Sequence, residues 1–187
     1  MPVSRFARGL VGRLQRVSVP VGLTNEKALE QQVVLPEAER LVRRHPDVLL
    51  YVHPWGSKRR CNPECAVVPA GGAGRVHGCP TCWEVSKKQW ASVGAFGTHH
   101  TFDLAAIDKS KQTLAVELKL SRPRNGRLPS GDIQRFLGQC ALASAKHDVV
   151  VGYFVCQGDL DERWHKDTAA AMRWFRKHKI YLAFRYV

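Results

Sequence analysis

The sequence predicts an α/β protein, a mixed β-sheet flanked by helices, and three stretches carry that prediction. Residues 101–107 and 113–120 alternate apolar and polar side chains, as strands do, and the polar turn Asp108-Lys109-Ser110-Lys111 joins them. Residues 132–143 place Ile133, Phe136, Leu137, Cys140 and Ala141 on one helical stripe. Residues 149–155 form a nearly continuous apolar run, the pattern of a buried strand. A length of 187 residues suits one core domain with room for a small insertion.

The elements follow in chain order. Residues 1–20 contain Arg5, Arg8, Arg13 and Arg16 and no acid, with Phe6, Leu10, Leu14 and Val17 on one helical face. This segment reads as a basic amphipathic arm ahead of a core domain spanning residues 21–187. An arm on nucleic acid, a docking helix and a mitochondrial transit peptide all fit it. A helix starts near Asn25, with Thr24 and Asn25 as N-cap candidates and Leu29, Val33 and Val34 on its apolar side. Pro36 implies a kink or a second helix start. A strand follows from Val48 to Val52.

Residues 54–90 read as an insertion that binds zinc. Cys61 and Cys65 are followed, after a Gly-rich stretch, by Cys79 and Cys82, a zinc-ribbon-like arrangement of four thiolates around one structural ion. His77 is a substitute ligand. Free cysteines and disulfides are the alternatives, and disulfides are disfavoured in an intracellular protein. Four thiolates leave no open position for water, so a catalytic zinc is not expected. Residues 71–75 are a flexible connection, since no Gly-Lys-Ser/Thr follows to make a phosphate loop. Cys140 and Cys156 lie on apolar stretches and read as core.

The hairpin carries the chemistry. Leu114, Val116, Leu118 and Leu120 share one face, and Ala115, Glu117 and Lys119 the other. A carboxylate and an ammonium therefore stand roughly 6–7 Å apart along the strand. Metal-dependent phosphodiester hydrolysis needs such a pairing of metal site and basic group. Whether Asp103 joins them depends on the turn. A two-residue loop at Lys109-Ser110 pairs Asp103 with Val116 and leaves an ordinary hairpin with a solvated polar edge. A three-residue loop through Lys111 sets Asp103 opposite Glu117, with Cβ atoms about 4.5–5.5 Å apart. A catalytic role predicts an odd-length loop or a bulge. After the hairpin come an Arg-, Pro- and Gly-rich loop over residues 121–131, the helix with Ser130 as N-cap candidate, and the buried strand. The chain ends in a helix over residues 161–178, buried through Ala169, Met172, Trp174 and Phe175, and a strand from Ile180 to Tyr186.

Asp103, then Glu117-Leu118-Lys119, then Gln134 at the start of the next helix resemble the PD-(D/E)xK nuclease superfamily, the restriction-endonuclease-like fold. Glu-x-Lys, the basic loop, Leu128-Pro129-Ser130 and Gln134 look most like its virus-type replication-repair nuclease branch, with Holliday-junction resolvases a near second. The resemblance covers residues 95–156 and departs from the family pattern at Phe102, where the pattern has proline. It implies a restriction-endonuclease-like mixed sheet, here with a small zinc-ribbon-like insertion. It also implies that Asp103 and Glu117 bind magnesium or manganese, hard cations that take oxygen ligands, with the Leu118 carbonyl as a further ligand. Lys119 would position or help deprotonate the attacking water and stabilise developing phosphate charge. Gln134 would orient the lysine, the water or the backbone around the metal. The family often adds a glutamate from the first helix. Of Glu26, Glu30, Glu37 and Glu39, Glu30 is favoured, being adjacent to the apolar side and far enough before the next strand.

Lys and Arg number 29 against 16 Asp and Glu, a formal charge of +13. Such an excess favours polyanions, and DNA is the expected partner. Clusters lie at Arg40, Arg43 and Arg44, at Lys87 and Lys88, and at Arg173, Arg176, Lys177 and Lys179. Lys58, Arg59 and Arg60, and then Arg122, Arg124 and Arg127 just after Lys119, are candidate nucleic-acid-binding residues. Trp55, Trp83 and Trp90 would stack on unpaired bases or, the favoured reading, pack around the zinc site. His99 and His100 closely precede Asp103, and a surface or hairpin-edge role is favoured for them over substrate contact. No run is long enough to span a membrane, and the expected location is the cytoplasm of a bacterial or phage-type system, with the mitochondrion as alternative. The expected function is DNA hydrolysis in repair, recombination or mobile-element processing, with branched or structured DNA as candidate substrates and a homodimer or a larger nucleoprotein complex as candidate assembly. The alternatives are a catalytically inactive nucleic-acid-binding zinc protein on the same fold, and a small RNA-associated zinc protein, which leaves the hairpin unexplained.

Overall fold

A computed structural model describes residues 2–53, 76–78, 80–89, 91–95, 98–158 and 163–187. In chain order the elements are α1 (Pro2–Leu14), α2 (Glu26–Leu29), a π-helical turn (Glu30–Val34), α3 (Leu35–Val42), β1 (Val48–Val52), β2 (Val76–His77), α4 (Pro80–Gln89), β3 (Ser92–Ala95), β4 (Thr98–Thr101), β5 (Leu104–Asp108), β6 (Thr113–Ser121), α5 (Ser130–Ser144), β7 (Val149–Cys156), α6 (Arg163–Lys177) and β8 (Ile180–Tyr186). Six strands form one mixed sheet in the order β2-β1-β5-β6-β7-β8, and β3 and β4 pair as a separate hairpin. β1, β5 and β6 are antiparallel neighbours, whereas β7 lies parallel to both β6 and β8. A parallel neighbour needs a crossover, which α5 and α6 supply. Among the described residues, no helix is long and apolar enough to cross a membrane.

The alternation along each strand sorts the core into layers. Leu50, Val52, Leu104, Ala106, Leu114, Val116 and Leu118 face α1 and α3. Ala115, Val150 and Phe154 face the other way, onto Phe136 and Cys140 of α5 and Phe175 of α6. Tyr51 and Ala105 pack on Cys82 and Trp83 of α4. β7 is buried on both faces along its whole length, which accounts for its unbroken apolar run.

The N-terminal segment belongs to this core and does not project as an arm. Val3, Phe6, Ala7, Leu10 and Leu14 of α1 are fully buried. Buried Glu37 of α3 accepts from Arg13 of α1 at 2.8 Å and from Arg40 at 2.6 Å, which pins the two helices together. Asn25 caps α2, its side chain accepting the Ala28 N–H at 2.9 Å. Pro36 both reshapes this helix and starts a new one. A proline ring clashes with the carbonyl four residues back, and here the preceding turn widens so that the Leu35 N–H reaches the Glu30 carbonyl. Two local expectations differ from the structure. Pro129 occupies the cap position of α5, with Ser130 already helical. On α6, Trp174 is 53% exposed and Ala169 is exposed, so Phe175 carries much of the burial.

Asp108 ties the sheet to α1. Its Oδ1 accepts from the N–H groups of Ser110 and Gln112 at 2.9 and 3.0 Å, and its Oδ2 accepts from Val3 N–H at 3.2 Å. Negative charge at a helix N-terminus is favourable. Asp108→Ala is expected to destabilise the fold by about 2–3 kcal/mol, since three amides lose an ionised acceptor. Denaturant melts check this, and an unchanged midpoint would refute it.

Candidate active site

The turn between β5 and β6 has the three-residue form. Lys109, Ser110 and Lys111 make the loop, and Lys111 adopts the left-handed conformation at φ 61°, as the last residue of such loops does. Its N–H donates to the Asp108 carbonyl at 2.9 Å. The ladder then runs from Ile107 opposite Thr113 to Leu104 opposite Val116. Asp103 is the next residue out. Its N–H donates to the Val116 carbonyl at 3.1 Å, and its Oδ2 accepts the Leu118 N–H at 2.7 Å. In an antiparallel ladder a residue's N–H and C=O point to the same neighbour. The Leu118 carbonyl therefore faces the Asp103 side as well.

Glu117 is buried, and its Oε1 lies 2.9 Å from Nε2 of His100 on β4. That hydrogen bond holds the His100 pKa above its ordinary value. Burial raises the Glu117 pKa, and His100 opposes the rise. Asp103 is pushed well above the usual carboxylate range, first by burial, then by the charge of Glu117, with Glu30 and Glu26 adding to it; the Leu118 N–H works against the shift. Buried carboxylates that disfavour one another's ionisation make this a candidate functional site.

α2 and the π-helical turn supply two more acids. Glu30, buried in the π-helical turn, places Oε2 3.4 Å from Nδ1 of His53. One ligand atom each from Glu30, His53 and Asp103 lies within 4.8 Å of the others. Glu26, a helical turn earlier, accepts from the Lys119 ammonium at 2.7 Å. Helix, β1, β4, β5 and β6 thus converge on one point with acids, imidazoles and a lysine.

Other sequence candidates sit elsewhere. Gln134 is exposed on α5, and among the described residues no hydrogen bond ties it to the carboxylates. Glu37 is committed to Arg13 and Arg40. Exposed Arg122 donates to the Leu23 carbonyl at 2.7 Å. Arg124 and Arg127 are exposed at the ends of a tight turn through Asn125 and Gly126, both at positive φ. Of the zinc candidates, Cys82 is buried with Sγ 4.0 Å from His77 Nδ1, while Cys61, Cys65 and Cys79 lie outside the described residues, as do Lys58, Arg59, Arg60, Trp55 and Trp90. Trp83 is buried, its ring centroid 4.3 Å from that of His53.

The sequence reading missed His53, named Glu26 without favouring it, and undervalued His100. Nothing in their spacing announces them, since each reaches its partner only through the tertiary fold. The one signal for His53 was its place directly after the apolar run of β1.

Comparison with known proteins finds no matching family model, no matching curated protein and no matching solved structure.

Asp103→Asn keeps an acceptor for the Leu118 N–H and removes the charge. The Asp103 pKa is higher in the folded than in the unfolded chain. Its contribution to stability is therefore complete below the unfolded value and is lost as pH rises through the folded value. Without divalent ions, Asp103→Asn should melt at a higher temperature than wild type at neutral pH, and the gap should close on acidification. A gap independent of pH would count against the assignment.

Proposed function

We propose that this protein is a metal-dependent nuclease that hydrolyses phosphodiester bonds in DNA. The observation that carries the reading is the convergence of Asp103, Glu117 and Glu30, in a buried setting, beside Lys119. A protein that only binds nucleic acid has no need to gather acids at such a desolvation cost. The order of helix, strand, hairpin, helix and parallel strand supports the reading, because it matches the placement that the PD-(D/E)xK resemblance implies.

The donor set fits a hard divalent cation. Crowded carboxylate oxygens suit magnesium or manganese, and a cation would offset the burial and the neighbouring charge that together raise the Asp103 pKa. Asp103, Glu117, Glu30 and the Leu118 carbonyl would hold it, with His53 offering a nitrogen donor. Such an ion would supply Lewis-acid polarisation of a phosphodiester and a more acidic attacking water. Lys119 would place its ammonium against the phosphate charge that develops during attack. Glu26 would keep the Lys119 side chain in place, and His100 would fix the orientation of the Glu117 carboxylate. A structural zinc on Cys82 with Cys61, Cys65 and Cys79 is part of the same proposal. Cys82 and His77 stand close to the separation that two ligands of one tetrahedral ion span, which keeps His77 as a substitute ligand.

The test is cleavage of labelled single-stranded, duplex, flapped and four-way-junction DNA with magnesium or manganese. Wild type should cut, and Lys119→Ala should cut at least about a hundredfold more slowly while still binding. Tight, salt-sensitive binding with no cutting of any substrate would instead favour a binding module. Independently of activity, manganese at about a hundred times its Kd should stabilise the wild type by about 2.7 kcal/mol. Asp103→Asn should lose most of that gain, and an equal gain in both proteins would place the ion elsewhere.

A further inference from the structure

We infer that the seam between α1 and α3 is a second contact surface, which grips the phosphate backbone of duplex DNA away from the carboxylate centre. α1 and α3 approach closely at Gly9, where an added Cβ would stand 3.1 Å from Leu41 Cδ2. That approach forms the floor of a groove of about 490 Å³ lined by Arg13, Arg16 and Arg44. Arg44 also lines an adjoining groove of about 370 Å³ with Arg5, so a single run of guanidinium groups follows the seam.

The charge on this surface is free to act. Arg5, Arg16 and Arg44 are exposed, and none of the ion pairs among the described residues uses them. The two acids at the grooves are already engaged, Glu37 by Arg13 and Arg40, and Asp47 by Lys109 at 2.6 Å. Guanidinium groups bind phosphate through paired donors, which suits a regular row of phosphates.

The surroundings favour duplex nucleic acid over other polyanions. An amphipathic helix binds a membrane by inserting its apolar face, and the apolar face of α1 is fully buried in the core. Single strands are held by stacking on aromatic side chains, and among the described residues no Phe, Tyr or Trp lines either groove. The seam lies near the start of β1, and His53 of the carboxylate centre follows its end. Five strand residues separate the two, roughly 16 Å. At about 3.4 Å per phosphate along one strand, a duplex touching both would span about five phosphates, roughly half a helical turn. The choice of DNA as the polyanion rests on the nuclease reading, but the charged seam does not.

The experiment measures binding to a short labelled DNA duplex in EDTA over a range of salt. It compares wild type, the triple variant R5Q/R16Q/R44Q and a control triple, R173Q/R176Q/K177Q, on the exposed side of α6. Each lost phosphate contact lowers the slope of log K against log salt by about 0.9. The seam triple should lose a slope of about 2–3 and bind at least tenfold more weakly at moderate salt, with the control changing much less. An unchanged slope in the seam triple, or an equal loss in the control, overturns the inference. Thermal melts of both triples should overlay wild type, since the altered residues are exposed. Seam-dependent binding by a protein that cuts nothing would keep the seam and sink the nuclease. Cutting with seam-independent binding would do the reverse.

Discussion

The register of the β5–β6 hairpin rests on its turn, and the geometry of the centre rests on that register. Lys111 takes the left-handed conformation, and Asp108 accepts the N–H groups of Ser110 and Gln112 across the loop. A loop one residue shorter would slide β5 by one position and turn each of its side chains to the opposite face. Asp103 would then leave the Leu118 N–H and the neighbourhood of Glu117. The same Asp108 carboxylate accepts from Val3, so the start of the chain and the turn are held by one group. Core packing and site geometry are therefore not separable here. α1 presses on the sheet that positions the acids, and its first turn is anchored where their register is set.

The centre concentrates charge that the rest of the interior avoids. Among the described residues, the buried acids are Glu30, Glu37, Asp108 and Glu117, and no lysine or arginine is fully buried. Each of those acids has a stated partner: His53, an arginine pair, backbone amides or His100. Asp103 differs. Burial, and then the charge of Glu117 and two further glutamates, raises its pKa against one strong backbone donor. Such a group weakens the fold at neutral pH, and a cation or a positively charged transition-state clamp is what would turn that cost to use.

Drawing acids inward also leaves the outside more positive than composition alone implies. The formal charge is +13, yet Glu37, which could have neutralised the helical surface, is buried between Arg13 and Arg40. Arg5 and Arg8 of α1, and Arg43 and Arg44 just after α3, face solvent. An acidic centre set in a basic exterior suits a substrate that is itself polyanionic. The exterior draws it in, and the centre would meet its phosphate only through a metal or an ammonium.

The sequence by itself determined most of the main sheet and its flanking helices, but not β2, β3, β4 or α4. Alternation placed β5 and β6, an unbroken apolar run placed β7, and helical spacing placed α5, because a buried face leaves its period in the side chains. It also posed the turn as a choice between two lengths, one of which joins Asp103 to Glu117. Only the tertiary structure decided the rest. An amphipathic pattern in α1 says that one face is covered but not by what, and the cover is this chain's own sheet. His100 meets Glu117 across 17 residues, and Lys119 meets Glu26 across 93. No local period encodes such meetings, since side chains of distant elements come together only when the layers pack.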